Sequence, residues 1–373
     1  MNPTVARKAL GVGVIGCGEI AQLMHLPILH ELPGLRIAAL CDLSDTVLSG
    51  LSAHYGVAAC YKDYRDLLAD PAVDAVVICT FDHGPVVKAA IEAGKHFIVE
   101  KPLAFTAEQA RPLVAAAAAK GLVALVGYMK LYDPGYRLGL EQLEAIGRPK
   151  MIHVHDFAGR FDRYQSLYTQ LRGTDIDPTV LKAGQAAAAA EIAAALGPDH
   201  AGYGDLYMTL LMLGSHDLAV LRGAFGVAER VDYAQAVGPY HILAVLGFPD
   251  GVPALLEVAF GAQYEWWDEW MRVDGEASQM LIEFQNPYVR NAAATIRLKQ
   301  AAKADGSEGA SERVLPGTPD TAFRRQWQHF LACIEGKAAP ITPLQGGLDD
   351  LELAERIIKA LPAKMAARDE AAA

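Results

Sequence analysis

Cysteine is scarce in this sequence, with five residues among 373. Cys17, Cys41, Cys60, Cys79 and Cys333 are scattered, and no two of them form a C-x-x-C pair. An odd, scattered set of this kind argues for a reducing compartment. The sequence also lacks a G-x-S-x-G elbow, and no cysteine stands in the context of a catalytic nucleophile. Neither a serine nor a cysteine nucleophile is therefore expected.

Basic residues are fewer than acidic ones, with 33 Lys+Arg against 44 Asp+Glu and a formal net charge of −11. Nucleic-acid binding depends on clustered Lys and Arg, so a nucleic-acid partner is not expected. No run of about 18 apolar residues is free of charged or turn residues, and the N-terminal segment has no apolar signal core. We therefore expect a cytoplasmic protein without a membrane partner. The composition, 52% hydrophobic and 21% charged, is that of a packed globular protein, and the length of 373 residues suggests two or three domains.

Short apolar runs alternate with helix-length segments from Leu10 to about Tyr128. The runs LGVGVIG, LRIAALCD, AVDAVVICT, KHFIVEK and LVALVGY lack strict polar alternation, as parallel strands covered on both faces do. This strand–helix repetition predicts a doubly wound α/β domain with a parallel sheet over residues 1–128.

The pattern changes in the remaining chain, residues 129–373. Runs such as MIHVHDF, HILAVLGF, ALLEVAF and QMLIEF follow one another with turns such as PDG between them. That order predicts an α+β domain with a large, mostly antiparallel sheet. We expect a helical insert at about 158–207 and a C-terminal helix at 349–362, where apolar residues recur at helical spacing.

A glycine-rich loop lies between the first predicted strand and the first predicted helix. Residues 16–21, GCGEIA, fit G-x-G-x-x-A, in which glycines allow a tight turn and close approach of a pyrophosphate. Asp42 ends the second strand, where an acid can bind ribose hydroxyls and repel a 2′-phosphate. The alternative is a structural turn with an incidental Asp. The expected dinucleotide contacts are Gly16, Gly18, Glu19, Ile20 and Asp42. No basic residue adjoins Asp42, which favours NAD, although NADP stays possible.

Glu100-Lys101-Pro102 follows the strand HFIV at the edge of the sheet where ligands of open α/β folds bind. A lysine at this edge can donate a hydrogen bond to a substrate hydroxyl. The alternative is an exposed lysine paired with Glu100.

Several segments together resemble one family. AGKHFIVEKPLAFTAEQA, VGYMKLYDPGYR, LGSHDLAVLRGAFG and the closing FRRQWQHFLACIEGKAAPITPLQGGLDDLELAERIIKAL are similar to the glucose–fructose oxidoreductase, inositol dehydrogenase and rhizopine-catabolism family. The resemblance covers most of the chain. It implies a Rossmann domain, then an α/β domain whose open sheet often forms subunit contacts, hence a homodimer or homotetramer. It also implies oxidation or reduction of a secondary alcohol on a sugar, inositol or related ring with NAD(P).

The resemblance assigns roles to individual residues. Lys101 would lie beside the nicotinamide and the reacting hydroxyl, and His216 would be the proton acceptor. Further cofactor contacts are implied at Thr80, Glu100 and Pro102, and substrate contacts at Met129, Lys130, His155 and Asp156.

Three features depart from the family pattern. The family commonly has an Asp one helical turn before the catalytic His, and here that position is Met212. Asp205 and Asp217 are candidates to compensate. The span between Asp156 and His216 is longer than is usual for the family, and the loop from Thr80 lacks the usual Thr-Pro-Asn sequence.

These departures leave three hypotheses open. The first is a polyol or sugar dehydrogenase. The second is an enzyme that oxidises a glycoside or a bulkier substrate transiently, allows elimination and then restores the alcohol. The third is a dinucleotide-binding regulatory protein without catalysis. A metal site is not expected, because His153 and His155 share one face of a strand while Asp156 lies on the other.

Overall fold

A computed structural model describes residues 9–159, 168–261, 265–303, 306 and 309–365. Two β-sheets organise the described chain. The first has six parallel strands in the order β3-β2-β1-β4-β5-β6. Its strands are β1 Leu10–Ile15, β2 Leu35–Cys41, β3 Cys60–Tyr61, β4 Ala75–Ile78, β5 His96–Val99 and β6 Ala124–Val126. This strand order is that of a Rossmann fold and confirms the predicted doubly wound domain.

Helices cover both faces of the first sheet. They are a π turn Ala21–His25 continuing as α1 Leu26–Glu31, α2 Asp45–Tyr55, α3 Tyr64–Ala69, α4 Gly84–Glu92 and α5 Ala107–Ala119. Val76 and Val77 of β4 are both fully buried, in hydrophobic clusters on opposite faces. This explains why the strands of this domain read as continuous apolar runs.

The second sheet has eight strands in the order β14-β13-β12-β11-β7-β10-β9-β8. They are β7 Met151–Ala158, β8 Arg230–Gly238, β9 His241–Gly247, β10 Pro253–Phe260, β11 Asp268–Asp274, β12 Ser278–Glu283, β13 Thr295–Gln300 and β14 Ser311–Pro316. Only the β7–β10 pairing is parallel among these neighbours, which confirms the mostly antiparallel sheet.

One face of the second sheet is buried under helices. A 3-10 turn Met129–Tyr132 leads into α6 Pro134–Ile146, which packs on β12 and β13. Asp133 begins α6 by accepting hydrogen bonds from the backbone of Gly135 and Tyr136 at 2.7 and 3.0 Å. Along β7, residues alternate between buried and half-buried, so the opposite face of the sheet stays partly accessible.

The expected helical insert lies partly outside the described residues, at 160–167. Its described part contains α7 Pro178–Leu196, a 3-10 turn Ala201–Tyr203 and α8 Gly204–Thr209. A π turn Leu210–Gly214 joins α8 to α9 Ser215–Phe225. None of the helices in the described ranges combines the length and the apolar character that a membrane crossing requires.

The end of the chain returns to the first sheet through α10 Ala322–Ile334 and α11 Leu344–Lys359. The last helix begins at Leu344 rather than at Asp349, because the extended Pro343 precedes it directly. Asp350 of α11 accepts two hydrogen bonds from the Arg222 guanidinium of α9, at 2.9 and 3.0 Å. A bidentate pair of this kind fixes the relative orientation of the two helices.

Candidate functional site

The glycine loop leaves its main chain open to a ligand. Gly16 has a φ of +84°, and a Cβ there would lie 2.7 Å from the Cys79 carbonyl group, so only glycine fits. A Cβ at Gly18 would meet no atom within 4 Å, which shows open space above the loop. The helix begins immediately after this loop, so the residues present fit the pyrophosphate of a dinucleotide.

Asp42 lies beside this loop at the end of β2. Its carboxylate accepts hydrogen bonds from the backbone N–H groups of Cys17, at 2.8 Å, and Ser44, at 2.9 Å. These two bonds fix the orientation of the carboxylate. Each oxygen keeps a lone pair for a ribose hydroxyl, as a NAD site requires.

Glu100 is buried beneath the expected nicotinamide end and is held by His25. Trp327 Nε1 donates to His25 Nδ1 at 3.1 Å, so the proton of the neutral ring is on Nε2, which lies 2.9 Å from Glu100 Oε1. Burial acts to raise the pKa of Glu100, but the hydrogen bond from His25 and the nearby Lys101 and His83 outweigh it and lower the pKa. Glu100 is therefore an ionised partner beside Lys101.

Lys101 projects from the end of β5 and donates a hydrogen bond to the backbone carbonyl of Met212. Removal from water lowers the pKa of Lys101; Glu100 acts against this shift and Lys130 adds to it. The same environment acts on His216: burial, and then the charges of Lys101 and Lys130, lower its pKa well below the ordinary value. A neutral imidazole at pH 7 is able to accept a proton.

Neither of the two candidate acids, Asp205 and Asp217, is hydrogen-bonded to His216 Nδ1. This nitrogen is buried and has no hydrogen-bond partner among the described residues. Asp205 is exposed at the cavity wall, whereas Asp217 is fully buried in a separate cluster. The main-chain carbonyl of Met212, which lies in the π turn, accepts a hydrogen bond from Lys101.

A buried charge cluster lies next to the cavity. The Lys130 ammonium is paired with Glu269, whose other oxygen accepts a hydrogen bond from Trp267 Nε1 at 2.9 Å. The oxygens of Glu269, Asp156 and Asp217 lie within 4.8 Å of one another. Three acids at this spacing resemble a cation site, but the Lys130 ammonium already supplies a positive charge there.

Asp156 and Asp217 have raised pKa values within this cluster. Burial is the largest cause, followed by the negative charge of Glu269; the pKa of Asp156 rises well above its ordinary value and that of Asp217 rises to about 7. As carboxylates, both lack a hydrogen-bond donor among the described residues. A proton on Asp156 supplies the missing donor, because the hydroxyl of the protonated Asp156 donates a hydrogen bond to the Asp217 carboxylate. The pair therefore holds a proton at neutral pH.

One cavity of about 630 Å³ brings most of the candidate residues together. Of the expected site residues, its wall contains Glu19, Ile20, Thr80, Glu100, Lys101, Pro102, Met129, Lys130 and His216. Gly16, Gly18 and Asp42 lie outside this wall, in the loop and at the strand end described above.

The expectation that His155 and Asp156 line the substrate pocket is not met by the geometry. Neither residue belongs to the cavity wall. His155 lies on the accessible face of the second sheet, 3.0 Å from Glu257 and 3.3 Å from Asp268. Asp156, one residue later, is on the buried face. Successive residues of a strand point to opposite faces, so both cannot line one pocket.

Several wall residues were not anticipated from the sequence. Aromatic and methionine side chains form a large part of the wall: Phe81, Met208, Tyr240, Phe260, Tyr288 and Phe323. They come from loops and strand ends far apart in the chain. Glu269 was also missed. The alternation along β11 could have identified it, because Glu269 lies on the same face of this strand as the buried Met271 and Val273.

Comparisons with known proteins add independent findings. The family described as "Oxidoreductase family, NAD-binding Rossmann fold" matches residues 10–128. The companion domain, "Oxidoreductase family, C-terminal alpha/beta domain", matches residues 207–365.

Curated relatives match part of this chain. An inositol 2-dehydrogenase from Paracoccus denitrificans is 43% identical over 151 residues, which cover 39% of this chain and 45% of that protein. The match thus spans less than half of the relative's length.

Solved structures are similar over nearly the whole chain. KijD10, a 3-ketoreductase from Actinomadura kijaniata in complex with NADP and TDP-benzene, is 20% identical with a TM-score of 0.71, covering 95% of this chain and 98% of that one. An aldose-aldose oxidoreductase from Caulobacter crescentus complexed with glycerol is 22% identical with a TM-score of 0.70, covering 95% and 97%. At these identities the likeness shows the fold alone.

Proposed function

This chain belongs to the oxidoreductase family that joins an NAD-binding Rossmann fold to a C-terminal α/β domain, and from that premise we propose that it is an NAD(P)-dependent oxidoreductase acting on a secondary alcohol. The substrate class is a sugar, an inositol or a related ring compound. Family membership agrees with the resemblance noted in the sequence. The observation that carries the proposal is that Lys101 and His216, from different parts of the fold, line one cavity with Glu19 and Ile20 of the glycine loop.

The residues of the cavity provide what alcohol oxidation needs. Lys101 has three ammonium hydrogens, of which one is given to Met212, so others are available to a substrate hydroxyl. The neutral His216 accepts the hydroxyl proton as the carbon–oxygen double bond forms. The dinucleotide, when bound, supplies the acceptor for the hydride that leaves the same carbon. One alcohol thus yields one ketone, one transferred hydride and one proton, and general-base help contributes roughly 10²–10⁴-fold.

Lys101→Ala tests this mechanism. We expect the variant to lose turnover while it binds dinucleotide about as well as the wild type, because the lysine acts on the substrate hydroxyl. Lys88→Ala, on the exposed side of α4, is the matched control and should keep full activity. Activity would be followed by the absorbance of reduced nicotinamide, with sugars, inositols, glycosides and aromatic alcohols and with both dinucleotides. Substantial turnover by Lys101→Ala would contradict the mechanism.

Oxidation followed by elimination is the second candidate. The apolar wall of the cavity, with Phe81, Tyr240 and Phe260 among others, favours a substrate that carries a bulky or aromatic part. An enzyme of this kind would release an aglycone from a glycoside without net formation of NADH, and it would retain its dinucleotide through purification.

A regulatory protein without catalysis is the third candidate, and Met212 in place of the family Asp is the feature that favours it. Dinucleotide binding without turnover of any compound in the panel would support it.

We also propose that the accessible face of the second sheet joins copies of this chain into a homodimer or homotetramer. The His155 ring stacks on Trp270 of the neighbouring strand, with centroids 5.1 Å apart, and both side chains are only half-buried. Aromatic side chains on a half-buried sheet face favour a protein partner. Sedimentation equilibrium gives the mass in solution, and a monomer mass would contradict this proposal.

A further inference from the structure

Residues 168–177 of the insert lie against the adenosine end of the expected dinucleotide site. Gln22, just after the glycine loop, exchanges two hydrogen bonds with the main chain of Leu171, each of 2.9 Å. The Gln22 amide also donates to the Cys17 carbonyl at 2.7 Å. The insert is thus bonded through one side chain to the loop that would hold the pyrophosphate.

A second set of contacts fixes the start of this segment. The Tyr168 hydroxyl donates to the Tyr288 carbonyl at 2.5 Å, and the Arg290 guanidinium lies 5.1 Å from the centre of the Tyr168 ring. Arg290 also donates to the carbonyl of Leu23 in the helix after the glycine loop, at 2.5 Å. Through Arg290, the start of the segment is therefore linked to the helix that follows the dinucleotide-binding loop.

Asp175 reaches from this segment to the start of α2. Its carboxylate accepts a hydrogen bond from Ser44 Oγ at 2.5 Å and from the backbone N–H groups of Asp45 and Thr46 at 2.8 and 3.1 Å. These two N–H groups are among those that a helix leaves without partners in its first turn. The bonds from Ser44 and then Thr46 lower the pKa of Asp175 to about 2, so the carboxylate is ionised at neutral pH.

The start of α2 lies beside the expected position of the adenosine ribose, the group on which NADP carries an extra phosphate and NAD does not. The acid at the end of β2, here Asp42, binds the ribose hydroxyls of NAD, and the extra 2′-phosphate of NADP extends from that ribose. A helix N-terminus and nearby basic side chains are the groups that bind such a phosphate. Here the N-terminal N–H groups donate to Asp175, and Lys62 is bonded to the Leu43 carbonyl and to Asp45, at 2.6 and 2.9 Å.

We propose that Asp175 is a specificity-determining residue that makes this site select NAD over NADP. The insert supplies a second carboxylate beside Asp42, and this carboxylate occupies the anion-binding start of α2. A 2′-phosphate must displace it or approach it against like charge. The inference rests on the proposed dinucleotide-dependent function and adds the source of its cofactor preference.

Binding of NADH and NADPH to the full chain, followed by nicotinamide fluorescence without any substrate, tests the proposal. Wild type should bind NADH more tightly than NADPH. Asp175→Asn removes the charge but keeps the shape, and Asp175→Ala also frees the N–H groups. Both should tighten NADPH binding by roughly tenfold or more, while NADH binding changes by less than about threefold. The gain in Asp175→Asn should shrink at high salt, because the charge is exposed.

Asp177→Asn is the matched control. It removes an identical charge two positions along the same segment, but Asp177 accepts its bond from Thr179 of α7, at 2.8 Å, and has no bond to α2. Its NADH-to-NADPH ratio should equal that of wild type.

An unchanged ratio in both Asp175 variants, in a protein that still binds NADH, would overturn this inference and leave the proposed function standing. Equal affinity of wild type for NADH and NADPH would do the same. Binding of neither dinucleotide by wild type would overturn the proposed function itself.

Discussion

The Lys101 ammonium is hydrogen-bonded to the main-chain carbonyl of Met212, at the position where the family commonly has an acid. Met212 lies in the π turn Leu210–Gly214, immediately before the helix that carries His216. A π turn interrupts the regular helical hydrogen bonds, and such turns frequently occur at functional sites. Lys101, which we propose binds the substrate hydroxyl, is therefore linked to the helix that carries His216 through a main-chain carbonyl rather than through a carboxylate.

Met212→Asp should change the pH dependence of alcohol oxidation. The Met212 side chain lines the cavity and is 46% exposed. A carboxylate there would raise the pKa of His216, which burial and the charges of Lys101 and Lys130 now hold low. Because the base must be neutral, we expect the acidic limb of kcat/KM against pH to move up by about one pH unit.

Met208→Asp serves as the control for that profile. Met208 lines the same cavity but lies eight positions before His216 in the sequence, against four for Met212. Its acidic limb should move less. If the profile of Met212→Asp superimposed on that of wild type, His216 would not be the group that sets the limb.

The Rossmann sheet and the place of Lys101 could be predicted from the sequence because their signals are local. A glycine loop between a strand and a helix, or a lysine directly after a buried strand, defines a position at the carboxyl edge of a parallel sheet. The glycine loop and Lys101 both occur at that edge, at the ends of β1 and β5.

The face that His155 and Asp156 each occupy could not be predicted in the same way. Period-two alternation separates the two side chains, but which face is buried depends on helices that pack from elsewhere in the chain. Asp175 and Ser44 are 131 positions apart in the sequence, and no local sequence pattern predicts their contact. Both features follow from tertiary packing rather than from sequence spacing.

Replacing Lys130 and replacing Glu269 should lower the free energy of unfolding by different amounts. Lys130→Met leaves three buried acids without their cation and should lower the free energy of unfolding by about 3–5 kcal/mol. Glu269→Gln should cost less, because Asp156 and Asp217 remain near the ammonium and the Gln carbonyl can still accept from Trp267. Urea unfolding at neutral pH measures both.

Arg230→Met is the surface control for this pair. Arg230 and Asp232 form an ion pair of 3.0 Å in which both side chains are largely exposed, so its loss should have little measurable effect. A larger cost for Glu269→Gln than for Lys130→Met would show that the ammonium is not what stabilises the cluster.

Asp156→Asn should flatten the pH dependence of stability. The pKa of Asp156 is raised in the folded state, mainly by burial and then by Glu269 and Asp217, while that of Asp217 is raised to about 7. The folded state therefore holds these protons more tightly than the unfolded state, in which both acids titrate near pH 4. The resulting stability is complete below about pH 4 and is lost as the pH rises through about 7.

Wild type should lose stability between about pH 4 and about pH 7, and Asp156→Asn should lose less, by on the order of 1–3 kcal/mol, because one like charge is absent. Urea unfolding at several pH values measures the difference. Asp205→Asn removes the same charge from an exposed position and should follow the wild-type curve. If the curves of Asp156→Asn and wild type ran parallel over this range, the two buried acids would not share a proton in the folded protein.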